Sequence, residues 1–319
     1  MLNLHSNKLP GQIPYSIGKL KDLIVLSLYN KSLGSIPNSI NGLVSLEELD
    51  VSQNKLKGSI PTHGVYNWTY LRAFSVDSNN LSGTFPSSLT NCTNLSALNL
   101  RKNAFTGELP PYLAIFGNLQ VLNVGYNSLH GSIPHWITNL TNLFLLDLSN
   151  NKFSGSIPSN LERLQGFAAN RTLQGSNFSY EMTIDIKGIE YNLSYVWHTN
   201  MVFDLSQNNL TGEIPLSIGS MNSLRLLNLS GNRLEGKIPA CLGEISTLEE
   251  LILAKNNLHG EIPQELSKLS MLASLNVSSN NLCGPIPKGT QFDTFNVSSF
   301  QWNKCLCGFP LPPCKQKDN

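Results

Sequence analysis

A leucine spacing that recurs at a fixed interval constrains this chain more than any other feature. Residues 95–118 (LSALNLRKNAFTGELPPYLAIFGN) and 119–142 (LQVLNVGYNSLHGSIPHWITNLTN) follow one template, with apolar residues and an asparagine at the same places. The template asparagine recurs every 24 residues, at Asn79, Asn103, Asn127 and Asn151, and again at Asn208, Asn232, Asn256 and Asn280. Such a period predicts a chain of stacked repeats, each of which contacts mainly its neighbours.

The template has a physical explanation. Leu98 and Leu100 alternate as in a β-strand, so they point inward together, and Asn99 and Arg101 are expected to face solvent. Asn103 lies where the chain turns, and its side-chain amide can bond backbone groups of neighbouring coils. Because one coil cannot bury its own apolar face, it must stack on another. The sequence therefore predicts a leucine-rich repeat solenoid.

The predicted fold class is an α/β-type repeat solenoid that is mostly β. We expect a right-handed arc with a parallel sheet on its concave face and short turns or 3-10 segments on its convex face. The segment after each proline of the template is too short for more than a turn of helix. Stacked coils about 4.8 Å apart would give a sheet on the order of 50 Å long.

The regular spacing is interrupted once. Asn151 and Asn208 are 57 residues apart, which is one repeat of 24 plus an insertion of 33. A further repeat at 23–37 has Lys31 in the asparagine position. We divide the chain into repeats at 1–164, an insertion or island at 165–200, four further repeats at 201–287 and a C-terminal cap at 288–319.

The insertion keeps apolar and aromatic residues of its own. Residues 180–186 alternate as in a strand, Lys187-Gly188 is typical of a turn, and 189–196 could return as a strand or short helix. A tolerated surface insertion is the alternative. Its aromatic content favours a packed, functional segment.

Composition argues against several classes of function. The net charge is +1 and 13% of residues are charged, which disfavours nucleic acid or an anionic membrane surface as the main partner. No catalytic motif is present, and the six histidines are scattered over different repeats, so we predict no enzyme, metal or cofactor. Cys305-Leu306-Cys307 favours disulfide chemistry over a metal clip.

The ends of the sequence and its sequons point to the secretory pathway. The first residues already read as the second half of a repeat, without a signal peptide, and no apolar run could span a membrane. We interpret the chain as a fragment that lacks an N-terminal cap and leader; an intact cytosolic protein is the alternative. Thirteen Asn-x-Ser/Thr sequons are candidate glycosylation sites. They begin at Asn30, Asn67, Asn80, Asn91, Asn94, Asn139, Asn170, Asn177, Asn192, Asn209, Asn228, Asn276 and Asn296.

These features together resemble the plant receptor-like proteins, cell-surface receptors with extracellular leucine-rich repeats and no kinase. The LxxLxLxxNxLxGxIP template is similar to the plant extracellular variant of the repeat. The island with 187–191 (KGIEY), followed by 202–206 (VFDLS), resembles the island before the last four repeats of that family. The cap segments 291–295 (QFDTF) and 306–311 (LCGFPL) resemble the family's membrane-proximal cap. The chain would be the C-terminal part of the ectodomain.

The resemblance implies a function at the extracellular face of the cell membrane. The protein would bind a peptide or a microbial pattern and signal through co-receptor and adaptor receptor kinases, in defence or development. Its contact with the membrane would be through a segment absent from this chain. Two alternatives remain: a secreted inhibitor of the polygalacturonase-inhibiting type, which lacks an island, and the ectodomain of a leucine-rich repeat receptor kinase.

The family cap also implies a cysteine arrangement. Cys307 with Cys314 matches the cap pair, and Cys283 and Cys305, which are unusual for the family, are left to pair with each other. Cys92 and Cys241 lie six repeats apart, too far for a disulfide, so we expect buried free thiols.

Two binding surfaces are predicted on the concave face. Early repeats place chemically diverse residues there, and the island would add to them. The predicted ligand-binding residues are Tyr29, Asp77, Arg101, Lys102, Tyr126, Lys187, Gly188 and Tyr191. Late repeats place small serines there (Ser206, Ser230 and Ser278), which suit close approach of a partner, by resemblance a co-receptor kinase.

Overall fold

The computed structural model describes residues 1–4, 10–29, 32–61, 68–168, 201–289 and 291–314, and the backbone of 183–186 and 189–192. The residues form two compact units. The first comprises Met1–Gly131, Asn139–Asn151 and Thr172–Thr199, and the second comprises Ser132–Thr138, Lys152–Arg171 and Asn200–Asn319.

Each unit is built on a main sheet of short parallel strands, one strand from each repeat. In the first unit consecutive strands pair in the order β1 (Leu2–Asn3), β2 (Val25–Ser27), β3 (Glu48–Asp50), β4 (Ala73–Ser75), β5 (Ala97–Asn99), β6 (Val121–Asn123) and β7 (Leu145–Asp147). In the second unit the order is β8 (Val202–Asp204), β9 (Leu226–Asn228), β10 (Glu250–Ile252) and β11 (Ser274–Asn276). The strands are short because each coil turns away after its second inward leucine.

A second set of short strands follows each template asparagine. In the first unit these lateral strands are Pro10–Gly11, Ser32–Leu33, Lys57–Gly58, Asn80–Gly83, Ala104–Gly107 and Ser128–Ser132, the last of which ends in the second unit. In the second unit they are Lys152–Gly155, Asn209–Leu210, His259–Gly260, Asn281–Pro285 and Cys305–Cys307. Each ends in or near the template glycine, where the chain must turn; at Gly107 φ is +89°.

The remaining elements of the repeats are 3-10 turns, and the described residues contain no α-helix. Most turns begin directly after the template proline, whose extended backbone ends the lateral strand. They are Tyr15–Lys19, Asn38–Gly42, Ser87–Asn91, Pro111–Ile115, His135–Asn139, Leu161–Arg163, Gln165–Phe167, Leu216–Ser220, Ala240–Glu244, Gln264–Lys268, Phe292–Thr294 and Val297–Ser299. The predicted class, a mostly-β repeat fold with parallel sheets and 3-10 turns, is confirmed.

The inward residues of the template form the core. Leu98, Leu100 and Leu113 are fully buried, and their counterparts in the other described repeats are buried except Leu2 and Leu4 of the first repeat, which are half-buried. Burial of one leucine side chain contributes about 1.5–3 kcal/mol. The core therefore gains its stability in similar increments from each repeat.

The template asparagines form a hydrogen-bonded ladder between coils. Asn103 Nδ2 donates to the carbonyls of Leu100 and Arg101 in its own turn, at 3.2 and 3.0 Å, and to Val76 O of the preceding coil at 3.0 Å. Its Oδ1 accepts from Leu81 N at 2.9 Å. The same arrangement holds Asn54, Asn79, Asn127 and Asn151 in the first unit and Asn232, Asn256 and Asn280 in the second. In the described repeats these asparagines therefore have the predicted role of bonding backbone groups of neighbouring coils.

The residue before each ladder asparagine adopts a left-handed backbone. Lys102 and Tyr126 have φ of +49° and +54°. The other members of this column are Gln53, Ser78, Asn150, Gln207, Gly231, Lys255 and Ser279. This conformation starts the turn that delivers the asparagine to its carbonyl partners.

The asparagine ladder continues into the cap. This differs from the prediction that the repeat pattern ends at Pro287. Asn303 Nδ2 donates to Val277 O at 3.0 Å and to Phe300 O at 2.8 Å, and its Oδ1 accepts from Leu282 N at 3.0 Å. The preceding residue, Trp302, has the left-handed φ of that column, +63°. The cap therefore covers the last repeat by imitating another one.

Two disulfides hold the cap. Cys283 pairs with Cys305, whose strand runs parallel to Asn281–Pro285, and Cys307 pairs with Cys314. These are the two pairs expected from the sequence. Phe292, which is buried, packs near Phe295 and Phe300.

The insertion at 165–200 begins with the 3-10 turn Gln165–Phe167, and further along it forms one antiparallel pair of strands. Thr183–Ile186 pairs with Ile189–Asn192, as the alternating pattern and the Lys187-Gly188 turn predict. Lys187 and Gly188 themselves, and the segments 169–182 and 193–200, lie outside the described residues.

Candidate functional site

The outer face of the main sheet, formed by strand side chains that point away from the leucine core, corresponds to the predicted concave face. Many of its strands end in Asp or Asn, and these side chains cap the strand locally. Asp147 Oδ1 accepts from Ser149 N at 2.9 Å, and Asn99 Oδ1 accepts from Arg101 N at 3.3 Å. A side chain that accepts from the backbone two residues on forms an Asx turn. The sequence analysis missed this column, although its signal recurs between the inward leucines at Asp50, Asn99, Asn123, Asp147, Asp204, Asn228 and Asn276.

The expectation that Asn99, Asp77 and Arg101 face solvent is wrong. Their exposed fractions are 0%, 4% and 2%. Parallel strands lie about 4.8 Å apart, so side chains at one position of consecutive strands touch and cover each other. On the outer face of β4 to β7 even the small and apolar residues are buried. These are Ala73, Ala97, Val121 and Leu145.

Arg101 is held by side chains of the next two repeats along the chain. Its guanidinium carbon lies 4.6 Å from the centroid of the Tyr126 ring, a cation–π geometry. Its Nε lies 3.6 Å from Asp147 Oδ2, and both side chains are almost fully buried. Arg101 is thus a support beneath Tyr126, and its charge is offset by Asp147.

Asp147 in turn rests against the backbone of the repeat between them. A Cβ atom built on Gly125 would lie 2.7 Å from Asp147 Oδ1. Glycine at this position therefore leaves the space that the carboxylate occupies.

A second acidic site lies on β3. Burial raises the pKa of Asp50, and hydrogen bonds from the side chain and backbone N–H of Ser52 oppose that shift. Ser52 N lies 2.9 Å from Asp50 Oδ1. With Glu48 also buried on the same strand, the outer face of β3 carries polar groups that are enclosed by the fold.

The predicted ligand-binding residues divide into three groups. Tyr29 and Lys102 are half-buried, and Tyr126 is 44% exposed. Asp77 and Arg101 are buried and can act only through their neighbours; Asp77 Oδ2, for example, accepts from the Ser78 hydroxyl at 3.0 Å. Lys187, Gly188 and the side chain of Tyr191 lie outside the described residues.

The predicted partner-binding serines are less accessible than expected. Ser206 and Ser278 are buried, and the backbone N–H of each donates to the Asp or Asn that ends the preceding strand. Ser230 is half-buried, and its hydroxyl donates to Asn228 Oδ1 at 2.8 Å. Only Ser230 of the three presents more than a small part of its surface.

The predicted glycosylation sites also differ in accessibility. Asn80, Asn94, Asn139 and Asn296 are exposed, and Asn91, Asn209 and Asn276 are half-buried. Asn228 is the exception: it is buried, 8% exposed, and its Nδ2 donates to Asp204 Oδ2 at 3.1 Å. Asn30, Asn67, Asn170, Asn177 and the side chain of Asn192 lie outside the described residues.

The two cysteines expected to be buried thiols are both free, but only Cys92 is buried. Burial raises the pKa of the Cys92 thiol to about 12. Cys241 is half-buried because it lies in the 3-10 turn Ala240–Glu244, where it packs over Gly219 of the preceding repeat, and its Sγ donates to Leu216 O at 3.3 Å.

Among the described residues, no cluster of His, Cys, Asp or Glu side chains could hold a metal ion. Within the same residues, no helix has the length and apolar character to cross a bilayer.

The stacked parallel strands and the asparagine ladder are those of a leucine-rich repeat fold. The family model described as Leucine Rich Repeat matches residues 45–64, 70–92, 118–140, 142–164, 201–221, 223–245 and 247–269. The segments matched include repeats of both units.

Within that class, the chain is similar to plant receptor-like proteins, as its sequence motifs predicted. It is 69% identical over 134 residues to Receptor-like protein 9DC3 of Solanum pimpinellifolium. The matched region covers 42% of this chain and 16% of that protein. The resemblance to this family is therefore confirmed, over a small part of the relative's length.

Solved structures of plant receptor ectodomains have the same fold. The LRR ectodomain of the Arabidopsis thaliana membrane receptor kinase GASSHO1/SCHENGEN3, in complex with CASPARIAN STRIP INTEGRITY FACTOR 2, has a TM-score of 0.82 and 35% identity and covers 96% of this chain and 33% of that chain. The Arabidopsis receptor kinase HAESA, in complex with the peptide hormone IDA and the co-receptor SERK1, has a TM-score of 0.59 and 27% identity. This match covers 95% of this chain and 57% of that chain. The chain is thus similar to plant receptor ectodomains.

Proposed function

We propose that this chain is part of the ligand-recognition ectodomain of a plant cell-surface receptor-like protein that signals through partner kinases in defence or development. The observation that carries the proposal is the 69% identity over 134 residues to Receptor-like protein 9DC3. The complexes of GASSHO1/SCHENGEN3 and HAESA support an extracellular peptide and a co-receptor as partners. On this proposal the protein lies at the extracellular face of the cell membrane, and it is not an enzyme.

Tyr126 is the proposed centre of the ligand surface. It is 44% exposed, and its ring is supported from beneath by Arg101, which Asp147 holds. A rigid aromatic side chain over a fixed base loses little conformational entropy on binding, and Tyr and Arg are enriched at binding hot spots. Lys102, the preceding member of the same left-handed column, extends this surface with a positive charge.

The buried residues of the original set have a different proposed role. Arg101 and Asp77 position the accessible residues rather than contact the ligand. Tyr29 remains a peripheral contact. Lys187, Gly188 and Tyr191 of the island stay a prediction.

The ligand surface is tested with two tyrosine variants of the complete ectodomain. A panel of synthetic plant peptide hormones and purified microbial proteins is screened by biolayer interferometry. Tyr126→Ala should weaken the binding of any positive panel member at least about tenfold, the cost of losing a modest hot spot. The matched control is Tyr15→Ala, which is also exposed but lies on the first 3-10 turn. Equal affinity for wild type and Tyr126→Ala would contradict this assignment.

The co-receptor surface is proposed around Ser230 on the outer face after β9. SERK1, which is bound in the HAESA complex, is the probe. Ser230→Arg should reduce recovery of SERK1 with the full-length receptor, because a long cation blocks close approach, and should leave ligand binding intact. The matched control is His259→Arg, at an exposed position of a lateral strand. A normal yield of SERK1 with Ser230→Arg would contradict the assignment of the co-receptor surface to the region around Ser230.

The ectodomain of a receptor kinase is the second candidate, and the GASSHO1/SCHENGEN3 comparison favours it, since it covers 96% of this chain. The sequence of the gene beyond Asn319 separates it from the first: a kinase domain against a membrane helix with a short tail. A stop codon there with inhibition of polygalacturonase would favour the secreted inhibitor.

A further inference from the structure

We propose that Asn276 carries an N-linked glycan on the outer face of β11, whereas Asn228, the equivalent sequon residue on β9, does not. Both asparagines end a main strand, and both are followed by Ser two residues later. The proposal rests on the proposed function in one respect, the passage of the chain through the secretory pathway.

The two sequons have the same local backbone. Asn228 Oδ1 accepts from Ser230 N at 3.2 Å, and Asn276 Oδ1 accepts from Ser278 N at 3.0 Å. In each Asx turn the side-chain oxygen accepts a hydrogen bond from the backbone, and the amide nitrogen is left for contacts with the neighbouring strands. The difference between the sites must therefore come from the neighbouring strands.

The neighbouring strand supplies an acceptor at one site and none at the other. Asp204 pairs with Asn228 across the sheet, and its Oδ2 accepts from Asn228 Nδ2 at 3.1 Å. The residue that pairs with Asn276 from β10 is Ile252, whose side chain cannot accept a hydrogen bond. Asn276 is half-buried, and within the described part of the chain its Nδ2 has no hydrogen-bond acceptor.

These environments decide which of the two asparagines can carry a glycan in the folded protein. In the modification, the asparagine nitrogen displaces the diphosphate of a lipid-linked oligosaccharide. An N–C bond forms at the anomeric carbon, the C–O bond to the diphosphate breaks and the amide releases a proton. A glycan on Asn228 would have to lie where Asp204 packs, so chains that carry it do not complete the fold. A glycan on Asn276 extends from a half-buried amide whose nitrogen donates to no other group among the described residues.

The position of this glycan affects the co-receptor surface. N-linked glycans are bulky and polar, and this one would cover Ser278, the third of the predicted partner-binding serines. Ser278→Arg would then change two things together, because it also destroys the Asn276 sequon. Ser230 is two strands away and remains uncovered.

The test is a glycopeptide map of the full-length protein expressed in leaf cells, with occupancy measured by mass spectrometry. We expect a glycan on the Asn276 peptide and none on the Asn228 peptide. Ser278→Ala, which keeps the backbone donor of the Asx turn, should lose one glycan, and Ser230→Ala should lose none. Asn276→Asp, which keeps the Oδ1 acceptor, should secrete normally with one glycan fewer.

Three results would overturn the inference, and they are distinguishable. An unmodified Asn276 peptide beside occupied Asn80, Asn94, Asn139 and Asn296 overturns the inference alone. Unmodified peptides at all of these sites overturn both the inference and the proposed extracellular function. Occupancy of Asn228 in the folded, secreted protein would contradict the structural distinction between the two sites.

Discussion

At the scale of single residues, burial on the outer face of the main sheet depends on what the next repeat places beside a side chain. Arg101 is buried because Tyr126 lies over it and Asp147 lies beside it, on the next two repeats. Asp147 reaches that position only because Gly125 has no side chain. A template that describes each repeat separately cannot express these contacts.

Gly125→Ala should destabilise the protein by about 1–3 kcal/mol, the usual range for overpacking. The added methyl group would lie 2.7 Å from Asp147 Oδ1 and would displace that carboxylate from Arg101. Gly117→Ala is the matched control, since a Cβ atom there meets nothing within 4 Å. We expect it to be neutral or stabilising by up to about 1 kcal/mol. Chemical denaturation measures both, and equal effects would contradict the steric account.

The Cys92 thiol should make stability depend on alkaline pH. Burial raises its pKa from 9.0 to about 12, so above pH 9 the unfolded thiol ionises while the folded one keeps its proton. Its contribution to stability is therefore fully present below pH 9 and is lost as the pH rises toward 12. The free energy of unfolding should fall by up to about 1.4 kcal/mol per pH unit more in wild type than in Cys92→Ala. Tyr112, whose pKa burial also raises, is present in both proteins, and parallel pH curves would refute the prediction.

At the scale of elements, hydrogen bonds from side chains connect each repeat to the next. The ladder asparagines satisfy carbonyls of two consecutive coils, and the Asx turns fix the ends of the strands. The cap uses the same chemistry at Asn303, so its attachment is an extension of the repeat pattern secured by two disulfides.

Asn127→Ala should destabilise the protein by about 2–4 kcal/mol, since buried backbone groups lose their partners. The side chain donates to the carbonyls of Leu100, Val124 and Gly125 at 3.0–3.2 Å and accepts from Phe105 N at 3.0 Å. Asn118→Ala, at an exposed asparagine of the preceding repeat, is the control and should change stability by less than about 0.5 kcal/mol. Thermal unfolding followed by circular dichroism compares them; an Asn127 effect no larger than the control would argue against the ladder as a source of stability.

The two cap disulfides should contribute unequally. Cys283–Cys305 closes a loop with a sequence separation of 22, and Cys307–Cys314 one of 7. By chain entropy their removal should reduce stability by about 3 and about 2 kcal/mol, respectively. The double substitutions Cys283→Ser with Cys305→Ser and Cys307→Ser with Cys314→Ser are compared by denaturant titration. A larger loss from the shorter loop would show that local packing, and not loop entropy, dominates in the cap.

At the scale of the whole molecule, a repeated strand and a repeated 3-10 turn account for most of the described structure. Each repeat adds a similar increment of leucine burial, and nearest-neighbour contacts couple the increments. The chain has no need of long helices or a single large core.

Far-UV circular dichroism of the purified chain should show less than about a quarter helix, below the average of about a third for soluble proteins. The reason is that each segment after the template proline holds a single 3-10 turn, such as Pro111–Ile115. A spectrum dominated by the helical minima would be incompatible with the repeat assignment.

The sequence by itself determined the features that recur with the repeat. The inward leucines and the ladder asparagines follow from the requirements of one coil stacked on a similar neighbour. The insertion was visible for the same reason, as a break in the period between Asn151 and Asn208.

Tertiary structure decided the features that depend on how neighbouring repeats differ. Asp77 and Arg101 look like exposed polar residues in the template, but the repeats beside them bury both. Asn228 and Asn276 share a sequon and a backbone turn, yet Asp204 accepts from the amide nitrogen of the first, whereas the strand partner of the second is Ile252, which offers no side-chain acceptor. The physical reason is that neighbours across a parallel sheet lie about 24 residues apart in this sequence, so accessibility is set between repeats rather than within one.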